Sequence, residues 1–479
     1  MKKQETISSV ARRTAKVRVI RVAVFMLIFY CLAVISFVMP LRPTHSAMEN
    51  RDLAAFPAFS AEALVSGDYF DDINVWFADT FPLRDTWMTL NAWVKQCYGV
   101  ATMQVHGDVG SGDEIPELPT TLPLATTSTV TTTTVTTTAT TSTTTTQPVA
   151  TTTTVTTTPP TTTTTQNAIK PAGQDKAPAE SNGAILTIGD SGFEYYHFSQ
   201  SAADTYVAAV NRLAEQLKGK ATVYDMIVPT SIDICVDPAV RADVNSADQK
   251  KAMAYMFGSM SGQVKKIELF DVMLNAHKAG DYLYFRTDHH WTALGAYRAY
   301  ELFCAAKGQA PTPLSSYQKL EFPGYLGSFY RDTQSAAMAA SPDLVQAFVP
   351  PSTDSITLHT ADGTTTYPMI VDVSDWDALY KYNCFIGGDN PLSVISNPNK
   401  TDGSACLLIK ESFGNAYAPF LTEDYQTVYV MDYRYFDEVD GRGIAQFVTE
   451  NNIQDVLLLN NISATRNSYL MDTLNGLVR

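Results

Sequence analysis

Two short motifs far apart in the chain carry residue types that could together activate a serine. Ser412 follows the apolar run at 405–410, and Asp288 and His290 follow the apolar run at 282–285; each run predicts a strand. A serine hydroxyl needs a neighbouring base to become nucleophilic at neutral pH, and a histidine base needs a carboxylate to orient it. The sequence therefore predicts Ser412 as a nucleophile, His290 as its base and Asp288 as the orienting carboxylate.

Simpler interpretations exist for both motifs. A serine where a strand turns into a helix is commonly a helix N-cap, and a pair of histidines in a loop can be merely exposed. A second serine, Ser191, lies in a Gly-Asp-Ser sequence of the kind that opens many esterases. Its surroundings predict two short strands around a hairpin turn, however, and not a strand followed by a helix. The pairing with an Asp-x-His motif makes Ser412 the preferred nucleophile.

Donors that could hold an oxyanion lie near these motifs. The backbone N–H of Phe413 follows the serine directly, and Gly388 and Asn390 follow a strand-like apolar run. Glycine lets a backbone approach closely and an asparagine amide can donate to a developing negative charge. A plain turn is the alternative interpretation for the glycine segment, and Asn460 and Asn461 are weaker candidates of the same type.

The sequence predicts no metal site and no cofactor. The side chains of the adjacent His289 and His290 should diverge, and no third or fourth ligand is spaced nearby. Outside the N-terminal apolar segment there are five cysteines, an odd number without a C-x-x-C spacing. We therefore interpret the cysteines as small buried side chains and not as a disulfide framework.

The segment 181–479 must supply the elements that position these residues. Short apolar strands alternate there with helical patterns, which predicts an α/β domain with a mostly parallel sheet flanked by helices. Residues 311–400 are rich in turn sequences and predict a β-rich excursion from this domain. Active sites of such sheets lie beyond the carboxyl ends of the strands, where Ser412 is expected.

The N-terminus predicts the location of the protein. Residues 22–39 are eighteen residues without a charge, and residues 1–21 hold seven Lys or Arg and one Glu. This length can span a bilayer, and the basic flank favours a cytoplasmic end. A cleaved signal peptide is the alternative, but no small-x-small site is evident before Pro40. Either way, the chain after Pro40 is expected outside the cytoplasm.

Two further segments precede the α/β domain. In 40–109 the spacing of Phe70, Ile73 and Trp76 predicts an amphipathic helix, and we expect this helical region to pack on the catalytic domain. Residues 110–180 are dominated by Thr and Pro and lack the apolar surface that ordering requires. They are therefore interpreted as a disordered spacer.

The charge excludes one class of partner. The chain has 34 Lys and Arg against 49 Asp and Glu, and the basic residues of 1–21 leave the exported remainder more acidic still. Nucleic-acid binding depends on neutralising phosphates with basic side chains. We therefore expect no nucleic-acid partner.

Several motifs together resemble one protein family. They are RTDHHWTALGAY, ENR followed by FPLRD, VPTS after a strand, and ESFGNAYAPFL, and they are similar to those of the DHHW family of bacterial exported proteins. That family resembles the alginate O-acetyltransferase-like branch of SGNH hydrolases. The resemblance spans 45–109 and 181–479. It places the carboxylate on Asp288, the base on His290 and the nucleophile on Ser412.

The resemblance implies a function as well as a fold. It implies an SGNH-hydrolase-like, membrane-anchored, extracytoplasmic O-acetyltransferase or acetylesterase that acts on a cell-envelope glycan, with a membrane-bound O-acyltransferase as the supplier of acetyl groups. The alternative from another class is a non-catalytic glycan-binding or scaffolding envelope protein on the same fold.

Overall fold

A computed structural model describes residues 24–27, 30, 42–46, 51–60, 64, 68–84, 86–87, 103–117 and 183–479. Its strands, in chain order, are β1 His45–Ser46, β2 Arg51–Asp52, β3 Met103–His106, β4 Ile185–Ile188, β5 Ser191–Glu194, β6 Thr222–Val228, β7 Lys265–Glu268, β8 Gln318–Tyr325, β9 Asp343–Val349, β10 Ser355–Thr360, β11 Gly363–Pro368, β12 Leu392–Ser396, β13 Ala405–Lys410, β14 Thr427–Asp432 and β15 Asp455–Asn461.

The α-helices of the described residues are α1 Asp68–Asp79, α2 Gln200–Gln216, α3 Ser231–Cys235, α4 Pro238–Arg241, α5 Gln249–Ser259, α6 Phe270–Lys278, α7 Ala293–Lys307, α8 Ser328–Thr333, α9 Ala336–Ala340, α10 Gly414–Leu421, α11 Ile444–Glu450 and α12 Ser468–Leu477. Short 3-10 helices are Leu314–Ser316, Ala378–Cys384, Phe436–Glu438 and Ala464–Arg466.

The fold is built on an eight-stranded mixed sheet with the order β11-β10-β12-β14-β13-β15-β6-β7. The five strands from β14 to β7 run parallel, whereas β12, β10 and β11 are antiparallel. The prediction of an α/β fold is confirmed, but "mostly parallel" describes only part of the sheet. These three strands come from the segment 311–400, which adds them to the sheet edge and also forms the separate two-stranded antiparallel sheet of β8 and β9.

Helices cover both faces of the sheet, which explains why its central strands are mostly apolar on both faces. Successive side chains of β13 point to opposite faces, so that Leu407 and Ile409 belong to one apolar core and Cys406 and Leu408 to the other. Helices α2, α5, α11 and α12 contribute to the first core, and α6, α7 and α10 to the second. The parallel strands are thereby fixed in register, and their carboxyl ends form one edge.

The region before the α/β domain is only partly helical. Helix α1 begins at Asp68, as the pattern predicts, and Trp76 lies under the guanidinium of Arg42 at 4.0 Å from the ring centroid. Strand β3, by contrast, pairs antiparallel with β4 of the α/β domain. How the rest of 40–109 packs on the catalytic domain stays a prediction.

The described chain continues into the segment interpreted as a spacer. The N–H of Asp113 donates to the carbonyl of Phe198 at 2.8 Å, and the Asp113 carboxylate accepts from the N–H of Gln200 at 2.8 Å. The prediction of disorder from residue 110 was therefore wrong for 110–117. The remainder of that segment lies outside the described residues.

Most of the predicted membrane segment 22–39 also lies outside the described residues. Its described residues, 24–27 and 30, are helical. Within the described part of the chain, no helix combines the length and the apolar character that a membrane crossing requires.

One ionisable group lies deep in the sheet, away from its edges. The carboxyl of Asp225, on β6, is fully buried and accepts a hydrogen bond from the Tyr206 hydroxyl at 2.5 Å, while its other oxygen has no partner. Burial raises the pKa of Asp225 from 3.8 to about 7, although the Tyr206 bond and the charge of Lys266 act in the opposite direction. The folded protein thus retains a proton that the unfolded chain releases near pH 4.

We predict that Asp225→Asn flattens the pH dependence of stability. A raised folded-state pKa for an acid makes the free energy of unfolding fall as the pH rises from about 4 to 7, and asparagine cannot ionise. Urea titrations at pH 5 and at pH 8 measure the free energy of unfolding. Between these two pH values it should decrease by about 3 kcal/mol more in wild type than in the variant. Asp362→Asn, at an exposed turn, is the matched control and should follow wild type. Equal losses in wild type and Asp225→Asn would contradict the prediction.

Candidate active site

Ser412 lies at the corner between a buried strand and a helix. Strand β13 ends at Lys410 and helix α10 begins at Gly414, so the serine stands beyond the carboxyl end of the sheet, as predicted. A Cβ on Gly414 would lie 2.4 Å from the Cβ of Lys410, so the corner is too tight for a side chain at this position. The absence of a side chain at 414 lets the helix start immediately after Ser412.

The Asp-His-His loop closes on itself. The predicted strand at 282–285 is reduced to an isolated bridge between Tyr284 and Trp291, and the N–H of Phe285 donates to the carbonyl of His290 at 3.2 Å. The prediction of a regular strand there was wrong because this segment pairs with its own continuation and not with the sheet. Helix α7 then starts with Thr292 as its N-cap, whose hydroxyl accepts from the N–H of Gly295 at 3.2 Å.

The structure brings the three residues of the predicted triad together. Nε2 of His290 lies 2.8 Å from Oγ of Ser412, and Nδ1 of His290 lies 2.6 Å from Oδ2 of Asp288. All three residues are less than 10% exposed, which keeps bulk water from competing for these contacts. In this arrangement His290 can take a proton from the serine hydroxyl while the carboxylate holds the ring.

Asp288 is a fully enclosed carboxylate with several donors. Its Oδ1 accepts from the N–H of Ser328 at 2.8 Å, and its Oδ2 accepts from the N–H of His290 at 3.2 Å as well as facing the ring. Burial alone would raise the pKa of Asp288, but the charges and hydrogen bonds of the rings of His290 and His289 hold it well below its usual range. The group therefore stays ionised, as an orienting carboxylate must.

His289 faces away from the serine. Its Nδ1 lies 2.7 Å from the hydroxyl of Ser328, and its ring lies against that of His290 with centroids 3.8 Å apart. Ser328, at the start of α8, thus contacts both Asp288 and His289, although it is far from them in sequence. No pattern in the sequence indicated this residue.

Among the described residues, one group has donor atoms close enough together to hold a metal ion, namely Asp288, His289 and His290. Nδ1 of His290 already faces the carboxylate and Nε2 faces Ser412, so an ion would have to replace contacts that a base requires. The donor set fits acid–base chemistry better than metal coordination.

A buried carboxylate beside the serine was not predicted as part of the site. Oε2 of Glu411 lies 3.1 Å from Oγ of Ser412 and accepts from the N–H of Phe413 at 3.1 Å, and Oε1 accepts from the N–H of Asn461 at 2.9 Å. Glu411 thereby links the carboxyl ends of β13 and β15. The Phe413 N–H, a predicted oxyanion donor, is directed at this carboxylate. The sequence signal for Glu411 was a carboxylate directly after the largely apolar strand β13.

The other predicted oxyanion donors, Gly388 and Asn390, take part in hydrogen bonds within the turn that contains them. The amide of Asn390 donates to the carbonyls of Ile386 and Gly388, each at 3.2 Å. The intervening Asp389 accepts from the ammonium of Lys410 at 3.1 Å and from the amide of Asn415 at 2.8 Å. This segment therefore contacts the residues that flank the serine through Asp389. An oxyanion role for Gly388 and Asn390 stays a prediction.

A second ion-pair network holds the Asp-His-His loop in place. The guanidinium of Arg286 pairs with Asp343 at 3.0 Å and with Asp190 at 2.5 Å, and Asp343 also accepts from the N–H and hydroxyl of Thr287. The rejected nucleophile Ser191 lies at the hairpin between β4 and β5 and donates to Asp190 at 3.2 Å. The Gly-Asp-Ser sequence thus borders the site and positions its loop through Asp190.

The comparisons with known proteins agree with this architecture. Residues 49–431 match the family model described as DHHW protein. The chain is similar to the solved structure of a DHHW family protein from Eubacterium siraeum DSM 15702, with 24% identity, a TM-score of 0.54, and coverage of 61% of this chain and 94% of that one. It is similar to PatB1 of Bacillus cereus, with 20% identity, a TM-score of 0.50, and coverage of 60% and 98%. At these identities the solved structures show the fold. No match was found among curated proteins.

We predict that Gly327→Ala disables the site without abolishing folding. A Cβ at this position would lie 2.2 Å from the Cβ of Asp288, although the glycine backbone itself has an ordinary negative φ. Asp288 and the backbone at 327 must therefore move apart, which disturbs the contact between the carboxylate and His290, and displacements of about 1 Å can reduce rates by roughly 100-fold. Reaction of Ser412 with a fluorophosphonate measures the effect. Gly262→Ala, where a Cβ meets open space, is the control and should react like wild type; an equally reactive Gly327→Ala would refute the prediction.

Proposed function

The chain belongs to the DHHW family, and we propose that it is a serine O-acetyltransferase or acetylesterase that acts outside the cytoplasm on a cell-envelope polysaccharide. One observation carries the proposal: Nε2 of His290 lies 2.8 Å from Oγ of Ser412 while Asp288 faces the opposite side of the ring at 2.6 Å. A non-catalytic binding protein has no need of a buried serine, base and carboxylate in this order.

The proposed reaction has two half-reactions that share one base. Oγ of Ser412 attacks the acetyl carbonyl carbon of a donor ester, and its proton passes to Nε2 of His290. The tetrahedral intermediate collapses, the bond to the donor oxygen breaks, and the leaving alcohol takes the proton from Nε2. A sugar hydroxyl then gives its proton to Nε2, attacks the acetyl-serine and releases Ser412, which recovers the proton. Water replaces the sugar hydroxyl in the esterase version.

The substrate class is proposed from the family resemblance. The Asp-His-His-Trp and Glu-Ser-Phe-Gly-Asn motifs resemble those of the alginate O-acetyltransferase-like branch of SGNH hydrolases, and the proposed partner is a membrane-bound O-acyltransferase that delivers acetyl groups across the membrane. The acidic exported body is compatible with a neutral or basic acceptor and disfavours polyanionic nucleic acid.

We expect a fluorophosphonate to label wild-type protein covalently and not to label Ser412→Ala. The reagent bonds to an activated serine oxygen, so an N-cap serine without a base should react at the background rate. Intact-protein mass spectrometry measures the added mass, and peptide mapping assigns it to residue 412. Labelling of Ser412→Ala at the wild-type rate would contradict the assignment, and an unlabelled wild type would favour the non-catalytic alternative.

The two adjacent histidines provide an internal control for the same experiment. His290→Ala removes the base and should reduce acetyl-ester turnover roughly 10³-fold, within the usual range for a general base. His289→Ala removes a ring that contacts Ser328 and should cost at most about tenfold, because it leaves the contact between Nε2 and Oγ in place. Equal losses in the two variants would refute the assignment of His290 as base.

We further propose that 22–39 anchors the protein in the membrane with residues 1–21 in the cytoplasm. The uncharged run and its basic flank support this orientation. Full-length protein should sediment with membranes and resist carbonate extraction, and its exported part should be cleaved by protease added to intact cells or spheroplasts. A variant that carries a cleavable signal peptide in place of residues 1–39 should be soluble. Carbonate-soluble full-length protein would contradict the anchor.

A further inference from the structure

We propose that Tyr382 is a positioning residue that holds the base and the nucleophile together, an inference that rests on the proposed function. Its ring stacks on that of His290 with centroids 3.8 Å apart and an angle of 13° between the planes. Its hydroxyl donates to the backbone carbonyl of Ser412 at 3.0 Å. One buried side chain thus contacts both reacting residues from a third segment of the chain.

The two contacts restrain different degrees of freedom. The carboxylate of Asp288 fixes Nδ1 of His290 but leaves the ring able to tilt about the line between them. The parallel face of Tyr382 opposes that tilt and keeps Nε2 directed at Oγ. The bond to the Ser412 carbonyl fixes the backbone from which the hydroxyl projects. Tyr382 therefore completes a restraint that the Asp and His residues cannot supply alone.

A strained turn follows Tyr382, and the N–H of Phe385 directly before that turn donates to the carbonyl of Tyr382 at 3.2 Å. Three consecutive residues after its 3-10 helix have positive φ angles, namely Ile386 at 49°, Gly387 at 71° and Gly388 at 84°. Positive φ is a genuine outlier for a β-branched residue such as Ile386, which is fully buried. Its N–H donates to the carbonyl of Met369 at 2.8 Å, and Asp389 after the turn pairs with Lys410. Strain of this kind persists where the surroundings determine the backbone, and it concentrates at functional sites.

The stack also favours the charged form of the base. When His290 takes the serine proton it becomes an imidazolium, and the electron-rich face of an aromatic ring attracts a cation. Tyr382 remains a neutral phenol, because its burial and then the charges of Glu411 and Asp288 raise its pKa well above the usual range. It can therefore donate to the Ser412 carbonyl throughout the reaction without itself exchanging a proton.

The experiment compares the rate of fluorophosphonate labelling and the turnover of p-nitrophenyl acetate from pH 5 to 9 in wild type, Tyr382→Phe and Tyr382→Leu. Phenylalanine keeps the stack and loses the hydroxyl, whereas leucine loses both. Tyr300→Leu is the matched control, because it removes an equally buried tyrosine ring that stacks on Phe420 instead. The variants retain the other titratable groups around the three residues, namely His289, Tyr325 and Arg331 near Asp288 and Glu411 beside Ser412.

For Tyr382→Leu we expect kcat and the labelling rate to fall roughly 10-fold with little change in KM. The acid limb of the pH profile should move to lower pH, because the imidazolium of His290 loses the stabilising face of the tyrosine ring. Tyr382→Phe should retain the wild-type midpoint and lose only about threefold in rate. If Tyr382→Leu does not fold, Tyr382→Met carries the same expectation.

Two outcomes would overturn the proposal. One is a Tyr382→Leu protein that reacts within twofold of wild type at every pH; the other is a Tyr382→Phe protein as slow as Tyr382→Leu with an unchanged midpoint in both. Either result leaves the proposed function intact as long as wild type labels at Ser412. An unreactive wild type would instead defeat the proposed function itself.

Discussion

The site depends on keeping one carboxylate ionised inside the protein. Asp288 is 2% exposed, and a buried carboxylate without donors would take up a proton and could no longer orient a base. The protein meets this constraint with the N–H of Ser328, the N–H and ring of His290 and the nearby ring of His289. Because Ser328 belongs to α8, the excursion that begins at 311 is part of the site and not an appendage.

The cost of burying a charge also explains why the polar groups around Ser412 are paired. Lys410 is fully buried at the end of β13, and it is compensated by Asp432 at 2.7 Å and Asp389 at 3.1 Å. Arg434 pairs with the same two carboxylates. Unpaired charges at this depth would be costly, whereas this network links β13, β14 and the 386–390 turn around Ser412. This network holds Ser412, whereas the bonds of Asp288 hold His290, and Tyr382 contacts both residues.

Sequence patterns predicted the residues that lie next to strong local signals. Ser412 follows a strand that is apolar up to Lys410 and precedes a helix, and Asp288 and His290 share a compact motif, so local patterns placed them at the same edge of the sheet. The strand predicted at 282–285 was wrong, and the predicted parallel arrangement holds only from β14 to β7, because short apolar runs do not reveal their pairing partner. Ser328 and Tyr382 were missed because their roles arise only from contacts across 40 and 30 positions of sequence. Glu411 was visible as a charge, but its bonds to two strand ends were not.

The pairing of β3 with β4 changes what the threonine-rich run can do. Residues 103–106 and 185–188 are hydrogen-bonded neighbours, and 110–117 contacts α2 before the run begins. The chain on both sides of the run therefore packs on the same domain, which makes the run an excursion from that domain and not a tether between two domains. Under the proposed anchoring by 22–39, the residues between 39 and 103, and not the length of the run, would set the distance of the serine from a bilayer. Lengthening or glycosylating the run would change the surface of the protein. The entropic cost of closing the run as a loop would grow only with the logarithm of its length.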